Sequence, residues 1–111
     1  TSAWAVFKAI LPIYSGCVFS KENPDINIGT QNCDYNLRFD IKDIPIYTNN
    51  DIAICPENTA AISIGSNPIH LTDLSLYQDK IKIKGHSIMM GYLNNKLNES
   101  NFKDDSLYIY Y

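Results

Sequence analysis

The sequence predicts an α+β domain in which one apolar N-terminal helix lies on an antiparallel sheet of short strands. Three observations predict it. Residues 3–11 are apolar on nearly every side, with Lys8 the one charge, and Pro12 follows directly. From residue 37 onward, short runs alternate apolar and polar residues between turn-forming clusters, the period of two of half-buried strands. The chain has 111 residues, 45% hydrophobic and 19% charged, which is the size and composition of a single globular domain. Residues 1–111 therefore divide into helix 2–14, loop 18–36 and strands from 37 onward.

Thr1 or Ser2 is placed to cap the helix, which runs through Ala3-Trp4-Ala5-Val6-Phe7-Lys8-Ala9-Ile10-Leu11. Its all-round apolar character suits a helix buried against a sheet or packed into an assembly. Trp4 and Phe7 are accordingly candidate interaction residues. Pro12 is expected to end or kink the helix, and Ser15-Gly16 to stop it. From Ser20 to Asn36 the chain is polar and without period, a connection long enough to be functional or tied down covalently. The cysteines are Cys17, Cys33 and Cys55, an odd number without Cys-x-x-Cys spacing, which argues against a structural zinc site. In an oxidising compartment Cys17 and Cys33 are the candidate disulfide, stapling the loop to the helix end. In a reducing one all three serve as small apolar core residues.

Leu37, Phe39 and Ile41 alternate with Arg38 and Asp40, and Ile44-Pro45-Ile46-Tyr47 reads as an edge segment because proline cannot donate to a ladder. Two turns, 48–51 and 56–58, bracket the strand Ile52–Cys55, and Ala60 to Ile64 follows as another. Ile69 to Tyr77 suits either a capped helical turn or a strand. Lys80, Lys82 and Lys84 alternate with Ile81 and Ile83; after Gly85 the apolar parity shifts to Ile88, Met90 and Tyr92. That shift needs a bulge or tight bend at Gly85-His86-Ser87. The stretch 80–94 thus predicts a bulged hairpin with Ile81, Ile83, Ile88 and Met90 in the core and Lys82 exposed. Asn94 to Asn101 is a polar connection, and Leu107, Ile109 and Tyr111 alternate with Tyr108 and Tyr110 in a last strand. Tyr108 and Tyr110 are either an aromatic contact surface or strand residues at a wet edge.

The chemical motifs are incomplete. Gly85-His86-Ser87-Ile88-Met89 lacks the second glycine of a nucleophile elbow, and no histidine follows Ser87. His70 and His86 have no metal-ligand spacing, and Asp104-Asp105 before a strand is turn chemistry. Asn98-Glu99-Ser100 fits the glycosylation sequon, which matters in a eukaryotic secretory setting. A net charge of −3 argues against a nucleic-acid or anionic-membrane binder.

Ser63-Ile64-Gly65, Ile81-Lys82-Ile83-Lys84-Gly85 and Gly85-x-Ser87-x-x-Met90-Gly91-Tyr92, with Asn94 and Phe102, resemble a segment of the adenylate-forming acyl-CoA synthetases, nearest the o-succinylbenzoate–CoA ligases. The resemblance covers residues 63–102 and implies a strand-and-turn scaffold beside an adenylate pocket. The phosphate loop, the ribose-binding Thr-Gly-Asp and the catalytic lysine domain are not in this sequence, so no catalytic residue carries over. The order of apolar helix, long loop and antiparallel sheet also resembles the soluble part of a type IV pilin or pseudopilin.

The resulting expectation is a non-enzymatic structural or binding subunit that needs no cofactor or metal and works with a protein partner or as a homo-oligomer. Trp4, Phe7, Tyr108 and Tyr110 form its expected interaction surface. A single Arg38 among many Asn and Tyr residues leans toward an extracellular or cell-surface setting. Contact with a membrane is expected only if a hydrophobic segment precedes Thr1. A non-catalytic fragment or degenerate relative of an adenylate-forming ligase, which would be cytoplasmic, is the alternative; a small host-interacting or viral domain is another.

Overall fold

The computed structural model describes residues 2–58 and 61–111, with the side chains of Ser2 and Ala3 excepted. Thr1, an expected cap, and Thr59–Ala60, of which Ala60 is the expected start of a strand, lie outside them. The fold is α+β: a helical segment, then two sheets of short strands.

The helical segment begins as α1 (Ser2–Ala5), is π-wound over Val6–Ile10, and continues as α2 (Leu11–Ser15). Pro12, expected to end or kink the helix, sits instead in the first turn of α2. A proline within a helix cannot donate, and its ring crowds the carbonyl four residues earlier. The π-wound stretch before it, where Leu11 N–H reaches Val6 O, accommodates that crowding without ending the helix. Gly16 then stops it in the left-handed region (φ 73°), and Cys17 N–H closes back on Pro12 O at 3.0 Å.

The first sheet has the order β1 (Ile28–Gly29), β2 (Tyr35–Arg38), β3 (Asp51–Ile54), β4 (Ala61–Ile64), β5 (Asn67–Pro68). β1–β2 and β2–β3 pair in parallel, whereas β3–β4 and β4–β5 pair antiparallel. Two strands therefore begin before residue 37, where the sequence reads as loop. The second sheet is antiparallel, ordered β6 (Thr72–Leu76), β7 (Lys80–Gly85), β9 (Ser106–Tyr110), β8 (Phe102–Lys103). The ambiguous segment around Leu74 and Leu76 is thus a strand, paired with β7 from Thr72↔Gly85 to Leu76↔Ile81.

β3 separates two apolar clusters, and its alternation decides which residue joins which. Ile52 and Ile54 pack with Leu37 on one side, where Trp4, Phe7, Ile28 and Ala61 cover them. Ala53, followed by Cys55, faces the other side with Ile62, Ile44 and Tyr47, against Ile81, Ile83 and Leu107 of the second sheet. The order of layers is helix, mixed sheet, antiparallel sheet. All four β3 side chains are buried, as expected of a strand covered on both faces.

Three expected elements differ. Ile44-Pro45-Ile46-Tyr47 is no edge strand: Ile41–Ile46 form a 3-10 helix, with Ile44 buried in the core. The polar connection at 94–101 is α3 (Asn95–Asn101), whose Asn94 side chain caps it by accepting from Lys96 N–H at 2.9 Å. The hairpin expected over 80–94 has only its first arm. β7 ends at Gly85, a turn follows at His86–Ser87, and no strand returns along Ile88–Tyr92. Gly85 is where the backbone of β6 comes close, since a Cβ there would meet Leu71 O at 2.5 Å. Ile88 does pack on the core, but Met90 is fully exposed. Lys82 is half-buried, not exposed.

Candidate interaction surfaces

The N-terminal helix divides its apolar residues by geometry. Trp4 and Phe7, expected to contact a partner, are half-buried against Leu37, Ile52 and Ile54 of the same chain. Lys8 Nζ lies 5.6 Å from the Trp4 ring centroid and covers its outer side. Beyond them the helix leaves the sheet. Ile10, Ile13 and Tyr14 are 60%, 82% and 89% exposed, and in the loop that follows Val18 and Phe19 are 90% and 51% exposed. These side chains form an apolar ridge. The sequence signal for it is the helix's lack of a polar face: one sheet covers one side of a helix, so the other apolar side stays in water.

The loop after the ridge is held by hydrogen bonds. Asn27 N–H donates to Asp34 Oδ2 at 2.8 Å, Asn50 Nδ2 to Asp34 O at 2.9 Å, and Cys33 N–H to Asn36 Oδ1 at 3.1 Å. The Cys17–Cys33 pair expected to staple it is not formed. Cys17 is an exposed free thiol and Cys33 a half-buried one, donating to Gln31 O at 3.2 Å. Cys55 is buried and donates to Glu57 Oε2 at 3.1 Å. Burial pushes its thiol pKa well up, with the Glu57 carboxylate adding to the shift. Burial likewise raises the Tyr92 hydroxyl.

Tyr108 and Tyr110 stand on the outer face of the second sheet, opposite in register to Lys82 and Lys80. Lys80 Nζ lies 5.5, 5.4 and 5.6 Å from the ring centroids of Tyr77, Tyr108 and Tyr110, and Lys82 Nζ lies 5.9 Å from Tyr108. Lys80 and Lys82 therefore carry their ammonium groups over tyrosine rings, each such contact being worth about 0.5–1 kcal/mol at an exposed site. This explains why Lys82 is half-buried: its stem lies along the sheet and only its head reaches water. The juxtaposition was not readable from either segment alone, because β7 and β9 become neighbours only through pairing across 20 intervening residues of chain.

Elsewhere the polar groups serve the fold. Arg38 pairs with the buried Asp51 at 3.6 Å and stacks 5.0 Å from the Tyr47 ring centroid. Asp51 also accepts from Thr48 N–H at 3.0 Å. Tyr47 donates its hydroxyl to Asp40 O, and burial raises its pKa. His70 and His86 are exposed. Among the described residues no three of His, Cys, Asp and Glu converge as a metal-binding group, and no helix is long and apolar enough to cross a membrane. Comparison with protein-family models, with curated proteins and with solved structures found no match.

Proposed function

We propose that this protein is a non-catalytic binding subunit that assembles with another protein outside the cytoplasm through its N-terminal apolar ridge. The observation that carries the reading is the set Ile10, Ile13, Tyr14, Val18 and Phe19, each at least half exposed along the helix end and the loop that follows it. Large exposed apolar patches mark contact surfaces in soluble proteins, and these five side chains fall within ten residues of chain. The helix is anchored at one end by Trp4 and Phe7, so the ridge is presented on an attached support. The expected resemblance in layout to pilin soluble domains would give the helix this same role.

A second copy of the chain is the first partner to test. Sedimentation velocity over a concentration series, with ANS fluorescence on the same samples, should show reversible association and a dye-accessible apolar surface. Replacing Ile13→Asp together with Val18→Asp should remove both, while the thermal transition stays put because neither residue is in a core cluster. A chain that is monomeric throughout and binds no dye, or a double variant that associates like the wild type, would overturn the proposal.

A further inference from the structure

The outer face of the second sheet carries lysines that form no ion pair among the described residues. Lys80 and Lys82 follow each other on β7, and Lys103 lies opposite Ser106 on the neighbouring pair. Among the described residues the one ion pair is Arg38–Asp51, so none of these three lysines has a carboxylate at ion-pair distance. This occurs in a chain of net charge −3, where acidic groups outnumber basic ones. Lys80 and Lys82 also approach the same ring, Tyr108, at 5.4 and 5.9 Å, which keeps two like charges close together. Beside them a cleft of about 270 Å³ opens where α3 and β8 meet the sheet, walled by Lys80, Lys103, Glu99, Phe102, Tyr108 and Tyr110.

The chemistry of the walls selects the ligand. The tyrosine faces are taken by ammonium groups, so they are not free to stack on a base or a sugar. What they offer are hydroxyls: those of Tyr108 and Tyr110 make no hydrogen bond among the described residues, whereas Tyr111 donates its own to Tyr77 O at 2.6 Å. Ammonium and phenol donors around one small cleft suit an oxygen anion. Glu99 in the cleft and the exposed Asp104–Asp105 turn between β8 and β9 offset part of the lysine charge, so the small positive excess that remains suits a single anionic group and disfavours an extended polyanion such as nucleic acid.

We propose that this cleft binds a side-chain carboxylate presented by a segment of a protein partner, held by Lys80 and Lys103 with the hydroxyls of Tyr108 and Tyr110. The site is separate from the apolar ridge, so ridge variants leave it intact and the two proposals fail independently.

The test is fluorescence anisotropy of the full chain with a labelled serine-rich peptide carrying one glutamate, beside the same peptide with glutamine in its place and a single-stranded oligonucleotide. The acidic peptide should bind and the neutral one should not. Affinity should fall when ionic strength rises from about 0.1 to about 1 M, as the screening length shrinks from ~10 to ~3 Å. Lys80→Met with Lys103→Met keeps the aliphatic stems and should weaken binding at least about tenfold. Tyr110→Phe, which removes one hydroxyl, should weaken it several-fold, and Lys96→Met, on α3 outside the cleft, should leave it unchanged. Equal losses from Lys96→Met and the double variant, or tighter binding of the oligonucleotide than of the peptide, would overturn the proposal.

Discussion

Replacing Ile83→Ala tests the packing of the second sheet, and Met90→Ala is its internal control. Ile83 is completely buried at the centre of β7, opposite Leu74 on β6 and Leu107 on β9. Truncation removes three carbon groups, about 2.4 kcal/mol of transfer free energy at ~0.8 per group. Neighbours on β6 and β9 are held by ladder hydrogen bonds and cannot collapse into the space, so a cavity cost adds to this. The expected loss is about 3–4 kcal/mol, inside the roughly 2–5 kcal/mol span of Ile→Ala changes in cores. With an unfolding entropy near 2.1 cal/mol/K per residue, a 111-residue chain loses ~13 °C in Tm for ~3 kcal/mol. Met90 is fully exposed, and its truncation should shift stability by no more than about 0.5 kcal/mol. Thermal and urea unfolding followed by circular dichroism measure both. Should Ile83→Ala not fold, Ile83→Val should still cost about 0.5–1.5 kcal/mol. A loss below ~1 kcal/mol for Ile83→Ala, or equal losses at the two positions, would refute the placement of β7 as the central strand.

Three further predictions concern the cysteines and the close approach at Gly85. The folded pKa of Cys55 lies above its unfolded value near 8.5, so only the unfolded chain releases that proton as pH rises. Cys55 therefore contributes stability that is full below about pH 8.5 and falls by ~1.4 kcal/mol per unit above it, a slope that Cys55→Ala should abolish in urea titrations between pH 8.5 and 10. In native thiol titration with a chromogenic disulfide, Cys17 should react fast and Cys33 more slowly, with Cys55 protected until denaturant is added. Gly85→Ala should cost about 1–3 kcal/mol in the same unfolding assay, because the new methyl would press on the backbone of Leu71 and Thr72, neither of which can rotate away.

The strands with clean alternation were legible. Ile81 and Ile83 face the core as their period of two requires, and Leu107 with Ile109 does the same on β9. The Asp104–Asp105 turn was legible too, and both residues take positive φ, 51° and 61°, as a two-residue hairpin loop demands. Met90 was misplaced because a shift of parity looks the same whether the strand bulges or ends. Here it ends, and the chain beyond is held by side reach: Met89 N–H donates to Glu57 O at 2.8 Å, and Tyr92 N–H to Asn98 Oδ1 at 2.6 Å. Such bonds to distant residues leave no periodic trace. α3 was missed for a related reason, since Asn-Lys-Leu-Asn-Glu-Ser-Asn has no apolar stripe and its helix rests on the Asn94 cap and the Tyr92–Asn98 link.

By itself the sequence determined the α+β class, the apolar helix and its stop at Gly16, and which face of β7 and β9 turns inward. Those properties live in local dihedral preference and in the side-chain period, which a linear chain carries from residue to residue. Tertiary structure decided what each apolar surface meets. It put Trp4 and Phe7 on the mixed sheet and left Ile10 to Phe19 outside, paired β1, β2 and β3 in parallel, and set the lysines of β7 over the tyrosines of β9. Burial and charge contact depend on which segments become neighbours in space, and that choice is made by the packing of the whole chain.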